Sequence, residues 1–84
     1  MEATKKVSVV VAEELTLIRE GIAALCERNQ KYSVVGLCGD GESAFRLISS
    51  KRPDVALLDL NLPRLYCLEL IHKLRELNLP TRIV

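Results

Sequence analysis

The chain has 84 residues, a formal net charge of +1 at pH 7, 49% hydrophobic residues and 27% charged ones. That length allows one small domain, below the common size of about 100–150 residues, and the composition is that of a globular chain rather than a disordered one. Near-neutral charge gives no reason for direct binding to nucleic acid or an anionic membrane, and no apolar stretch approaches the roughly 20 residues that span a bilayer.

Met1-Glu2-Ala3-Thr4-Lys5-Lys6 is a polar lead-in, and the apolar run behind it is too short for a signal-peptide core, so a cytoplasmic location is expected. Val7 to Ala12 reads as the first strand. The first helix runs from about Thr16 to Asn29 with Thr16 as its N-cap. Its inward stripe is Ile18, Ile22, Leu25 and Cys26, with Arg19, Glu20, Glu27 and Arg28 on the opposite side. Val34 to Cys38 is the second strand, and Gly39-Asp40-Gly41 turns the chain into a second helix that faces inward through Ala44, Leu47 and Ile48. That helix stops before Arg52-Pro53, because proline disfavours a helical residue ahead of it. Val55 to Asp59 is the third strand, a nearly continuous apolar run as expected where both faces are covered. A third helix, about Cys67 to Leu77, buries Leu70, Ile71, Leu74 and Leu77, and after Pro80 the segment Thr81 to Val84 begins a fourth strand.

Strands alternating with helices predict an α/β fold: a doubly wound parallel sheet, flavodoxin-like, with strand order 2-1-3-4 and incomplete at its C-terminal side. Residues 1–84 then form the N-terminal part of a single domain. Three helices must serve two sheet faces, and the fourth strand is too short to cover the edge of the third. Either the chain is a fragment of a longer protein, the preferred reading, or a second copy completes it as a homodimer or strand-exchanged assembly. The three cysteines, Cys26, Cys38 and Cys67, lie far apart and share the chain with a single histidine, His72, which excludes a zinc-ligand spacing. Cys26 and Cys38 read as small hydrophobes.

The chemistry lies at the strand ends. In open parallel sheets, ligands sit beyond the carboxyl ends of the strands, where the strand order reverses. Asp59 ends the third strand and Glu13-Glu14 follow the first, so three carboxylates are expected to converge. Each feature alone is equally well read as a loop cap or a solvated turn; together they favour a site. Carboxylates that close require a proton or a cation. An all-oxygen site with room for water suits Mg²⁺, with the carbonyl of Asn61 as a further ligand, and a carboxylate beside such a metal can attack phosphorus and carry an aspartyl phosphate.

Three segments, Val9-Val10-Val11-Ala12-Glu13-Glu14, Arg19-Glu20-Gly21 and Arg52-Pro53-Asp54-Val55-Ala56-Leu57-Leu58-Asp59-Leu60-Asn61-Leu62-Pro63, together resemble a response regulator receiver domain of the two-component systems. Arg19-Glu20-Gly21, Val34-Val35-Gly36 and Gly41-Glu42-Ser43-Ala44 are similar to the LuxR/NarL-type subfamily, whose receivers precede a DNA-binding helix-turn-helix. The resemblance implies that Asp59 accepts a phosphoryl group from a histidine kinase. It also implies that Glu13 and Glu14 hold Mg²⁺, the second as a direct ligand, that Asn61 contributes its backbone carbonyl, and that DNA is reached only through an output domain outside these residues. Such a domain phosphorylates itself and releases no external product, so it is not an enzyme in the ordinary sense.

Three differences from the family pattern carry physical consequences. The acidic pair usually contains aspartate, and two glutamates predict weaker Mg²⁺ binding, since the ion tolerates misplaced ligands poorly. The alternative is a receiver that works without phosphorylation, as a protein-interaction module. Cys67 stands where the family has glycine, so a loop needing positive φ there must be built differently. The family's switch Ser/Thr and phosphate-binding Lys have no counterpart within these 84 residues. An aspartyl-nucleophile phosphatase is disfavoured because Asn61 stands where that class needs a second aspartate. His72 and Tyr66 read as surface residues.

Overall fold

The computed structural model describes residues 6–84, so residues 1–5 of the polar lead-in lie outside the described residues. Along the chain come β1 (Val7–Ala12), α1 (Thr16–Arg28), β2 (Tyr32–Cys38), α2 (Gly41–Lys51), β3 (Val55–Leu58), α3 (Cys67–Glu76) and β4 (Arg82–Ile83). All strand pairs are parallel and the order is β2-β1-β3-β4, the expected doubly wound arrangement. Val9 to Ala12 are buried, because β1 has a strand on each side and helices on both faces. β2 begins two residues earlier than its apolar run: Tyr32 and Ser33 pair with Val7 and Ser8 before the register shifts past Val35. A strand's polar first residues carry no hydrophobic signal, so the start of β2 was not legible from the pattern.

Ala12 stands level with Cys38 on one side and Leu58 on the other. The residues that leave the three strands, Glu13, Gly39 and Asp59, therefore emerge together at one edge. Backbone bonds fix them there: the Glu13 N–H donates to the Cys38 carbonyl at 3.0 Å, and the Asp59 N–H to that of Ala12 at 2.9 Å. β3 itself ends at Leu58, so Asp59 lies just past the strand rather than inside it.

One sheet face carries the core. Val10, Ala12 and Ala56 pack with Ala44 and Ile48 of α2 and with Leu70 and Leu74 of α3, and Leu62 and Leu79 close the ends. Of the expected α3 stripe, Ile71 is half-buried and Leu77 is 47% exposed, because the helix ends at Glu76 and Leu79 takes the core position instead. His72 is exposed beside Glu76 and Tyr66 is exposed, as expected for surface residues.

α1 stands alone on the other face and buries no residue. Ile22 and Cys26 are half-buried, but Ile18 is 46% and Leu25 66% exposed, against the expected inward stripe. Periodicity marks which side of a helix is apolar, not what covers it. An open cavity of about 180 Å³ lies beneath this helix, lined in part by Val11, Ile22, Leu57 and Val84.

The helix ends show what the sequence signals meant. Thr16 is the first helical residue of α1 rather than its N-cap; Leu15 occupies that place and its side chain makes no capping bond. α2 ends as expected ahead of Pro53, with Arg52 in the left-handed region at φ 48° and its N–H bonded to the Ile48 carbonyl. At the other end Asp40 caps α2, accepting the Ser43 N–H at 2.7 Å and the Ser43 hydroxyl at 3.0 Å. The Ser43 N–H, foremost among its partners, holds the Asp40 carboxyl below its ordinary value, and the charges of Arg64 and Arg46 act in the same direction. Asp40→Ala is expected to destabilise the fold by about 1 kcal/mol at neutral pH. A lowered folded-state pKa gives stability that is present above the unfolded value of about 3.9 and lost as pH falls through the lower folded value. Denaturant midpoints measured from pH 6 to pH 3 should therefore show the two proteins converging in acid; a constant gap would refute the cap assignment.

Candidate functional site

Asp59 is half-buried at the edge where β1 and β3 end. Its Oδ1 accepts the N–H of Asn61 at 3.0 Å, a short turn that aims the carboxylate back over the strand ends. The Glu13 side chain and the Glu14 backbone stand near enough to act on its charge. These contacts, the Asn61 N–H first and the Glu13 side chain second, hold the Asp59 carboxyl below its ordinary value. The Glu13 Oε2 also accepts the Leu15 N–H at 3.2 Å, which folds that side chain over its own loop.

The expected convergence is thus partly seen. Glu13 and Asp59 leave the sheet side by side, whereas the Glu14 side chain is exposed. Among the described residues, no three His, Cys, Asp or Glu side chains form a ready metal cage. What is present is an oxygen-only donor set with the Glu13 and Asp59 carboxylates near one another, whose charge a cation would neutralise. A small hydrated divalent ion, held by one or two carboxylates and otherwise by water, fits that set.

Cys67, seated at the first position of α3, is buried, and burial followed by the Asp59 charge pushes its thiol up. Burial also pushes the Cys38 thiol up to about 11. Both are uncharged packing groups rather than nucleophiles. Cys67 is not at positive φ; the strained position is Arg64, three residues earlier, at φ 73°. In this loop the left-handed turn falls on a residue whose charge acts on Asp40.

Sequence reasoning missed two groups that shape this site. Gly41, buried at the start of α2, donates its N–H to the Pro63 carbonyl at 2.9 Å and lies against the Leu65 backbone, so the loop after Asp59 rests on the α2 N-terminus. Arg19 was placed opposite the apolar stripe of the helix, but it is half-buried and its guanidinium turns into the β1–α1 loop, donating to the Glu13 carbonyl at 2.8 Å. An arginine six residues after an acidic strand end was the available signal.

Residues 9–84 match the family model described as the response regulator receiver domain. The chain is 38% identical over 80 residues to a transcriptional regulatory protein NarL of Mycobacterium tuberculosis, covering 95% of this chain and 37% of that protein. It is 34% identical over 84 residues to the nitrate/nitrite response regulator protein NarL of Escherichia coli K12, covering 100% of this chain and 39% of that protein. The chain thus spans less than half the length of these curated relatives. The solved signal receiver domain of the Mycobacterium tuberculosis NarL superposes with a TM-score of 0.92 at 38% identity, over 95% of this chain and 64% of that one. With this sheet order, this strand-end aspartate and these relatives, the chain belongs to the response regulator receiver domain family, beside the NarL-type regulators of the LuxR class.

Proposed function

We propose that this chain is the phosphoacceptor part of a cytoplasmic two-component regulator. Asp59 takes a phosphoryl group from a sensor histidine kinase and a DNA-binding transcription output responds elsewhere in the protein. The observation that carries this reading is that Glu13 and Asp59 leave the level ends of β1 and β3 side by side, with the Asp59 N–H bonded to the Ala12 carbonyl. In the transfer, an Asp59 oxygen forms the new P–O bond as the P–N bond to the donor imidazole breaks and that nitrogen takes up a proton. The Asn61 N–H holds the attacking carboxylate in place. The residues that would hold Mg²⁺ are Glu13, Glu14, Asp59 and the Asn61 carbonyl; the ion supplies neutralisation of the phosphoryl oxygens.

The exposed Glu14 side chain and the absence of a three-acid cage among the described residues favour a second reading, a receiver that acts by protein contact without phosphate. The two separate cleanly. The full-length protein, incubated with a small phosphoramidate donor, is expected to gain the mass of one phosphoryl group, on the peptide containing Asp59, only when Mg²⁺ is supplied. A folded protein that gains nothing at any Mg²⁺ concentration would leave the contact-module reading standing.

A further inference from the structure

From the contacts of its guanidinium we infer that Arg19 is the positioning residue of the acidic loop: it sets where the Glu13 and Glu14 carboxylates stand, and so how well they receive a divalent cation. The inference deepens the function proposed above and rests on it for the identity of the cation.

Nη1 of Arg19 donates to the Glu13 carbonyl at 2.8 Å and to the Glu14 carbonyl at 3.4 Å, and Nη2 donates to the Thr16 hydroxyl at 3.2 Å. The residue thus engages the main chain of both acidic residues and neither of their carboxylates. A guanidinium this close to two glutamates would be expected to pair with them, in the fork geometry that suits carboxylate. Here it is spent on carbonyls, leaving the acids available. Glu13 is anchored from the other side by its N–H bond to Cys38, so its backbone is held at both polar groups while its Oε2 accepts the Leu15 N–H.

Gly39 provides the space. A Cβ on that residue would stand 2.9 Å from Arg19 Nη1, and only 3.7 and 3.8 Å from the Glu13 and Glu14 carbonyls. The glycine after β2 is therefore matched to the guanidinium under the loop, which makes Gly39→Ala an independent way to displace it.

The sign of the effect separates positioning from electrostatics. A positive charge near a cation site disfavours the cation, so if Arg19 acted only through its field, Arg19→Gln would tighten Mg²⁺ binding. Positioning requires the reverse. In the full-length protein, at a temperature where every variant is folded by circular dichroism, Arg19→Gln should weaken Mg²⁺ binding by roughly tenfold, the loss typical of removing a group that orients a metal ligand. Arg19→Lys keeps the charge but not the two-carbonyl fork, and it should fail in the same direction. Gly39→Ala should also weaken binding, and the double variant Arg19→Gln with Gly39→Ala should lose no more than the worse single one, because both act on one contact.

Backbone relaxation gives a readout that needs no metal. Order parameters for Glu13, Glu14 and Leu15 should fall from about 0.85 in the native protein to about 0.6 in Arg19→Gln. Unchanged loop order, unchanged or tighter Mg²⁺ binding with a loosened loop, full rescue by lysine, or additive losses in the double variant would each overturn the inference. A native protein that binds no Mg²⁺ while its loop loosens in Arg19→Gln would sink the proposed metal-dependent function and support the positioning of the loop by Arg19.

Discussion

Asp59→Asn is expected to leave no detectable phosphoryl incorporation in a protein that stays folded. The amide is isosteric with the carboxylate, and its oxygen can still accept the Asn61 N–H that now lies 3.0 Å from Oδ1. Its nitrogen can donate to the nearby Glu13 carboxylate. What the amide lacks is a charged oxygen able to form the P–O bond. Stability should change by no more than about 1 kcal/mol, the scale of one rearranged hydrogen bond. The pH dependence has a definite sign. Because the folded Asp59 carboxyl is held below its ordinary value, it contributes stability that is present above the unfolded value of about 3.9 and lost as pH falls through the folded value. The asparagine variant lacks that contribution and should unfold with a shallower acid dependence. Intact mass after incubation with donor and Mg²⁺, beside thermal melts at pH 7 and pH 3, decides the matter. Full incorporation in the folded variant would remove Asp59 as the acceptor.

The strand ends were legible because burial leaves a plain mark: Val9 to Ala12 and Val55 to Leu58 are apolar runs that stop at acids, and the parallel register then brings Glu13 and Asp59 level. Less legible was how each side chain is used. Glu14 was expected to join a carboxylate cluster, but residue type does not reveal that its side chain stands exposed beside the strand ends. Thr16 is a good capping residue by composition, yet its hydroxyl receives Arg19 from within the first turn. The α1 stripe is real in the sequence and largely exposed in the structure, since Ile18 and Leu25 have no layer over them among the described residues. In each case the sequence carries the local preference, and the outcome depends on a partner from elsewhere in the fold.

Gly41→Ala should have the largest effect on stability, and its contrast with Gly21→Ala tests why. Both glycines lie in helices, where alanine is intrinsically favoured by up to about 1 kcal/mol, and neither has positive φ. Around Gly21 nothing lies within 4 Å of an added Cβ, so there alanine should stabilise α1 by roughly 0.5–1 kcal/mol. At Gly41 the added Cβ collides with the carbonyl oxygen and Cβ of Leu65. That obstacle is mainly main chain, tied to α2 through the Gly41 N–H and the Pro63 carbonyl, and it cannot rotate away as a side chain would. The loop must lift. Overpacking against backbone places the destabilisation at about 3 kcal/mol, a large share of the 5–15 kcal/mol that holds a domain together. Lifting residues 63–65 also pulls on Asn61, whose N–H orients Asp59, so a folded remnant of Gly41→Ala should accept phosphoryl groups more slowly than the native protein. Denaturant unfolding of both variants, with the phosphorylation rate measured in parallel, provides the check. If Gly41→Ala proves as harmless as Gly21→Ala, the loop beyond Asp59 is not held by the α2 N-terminus.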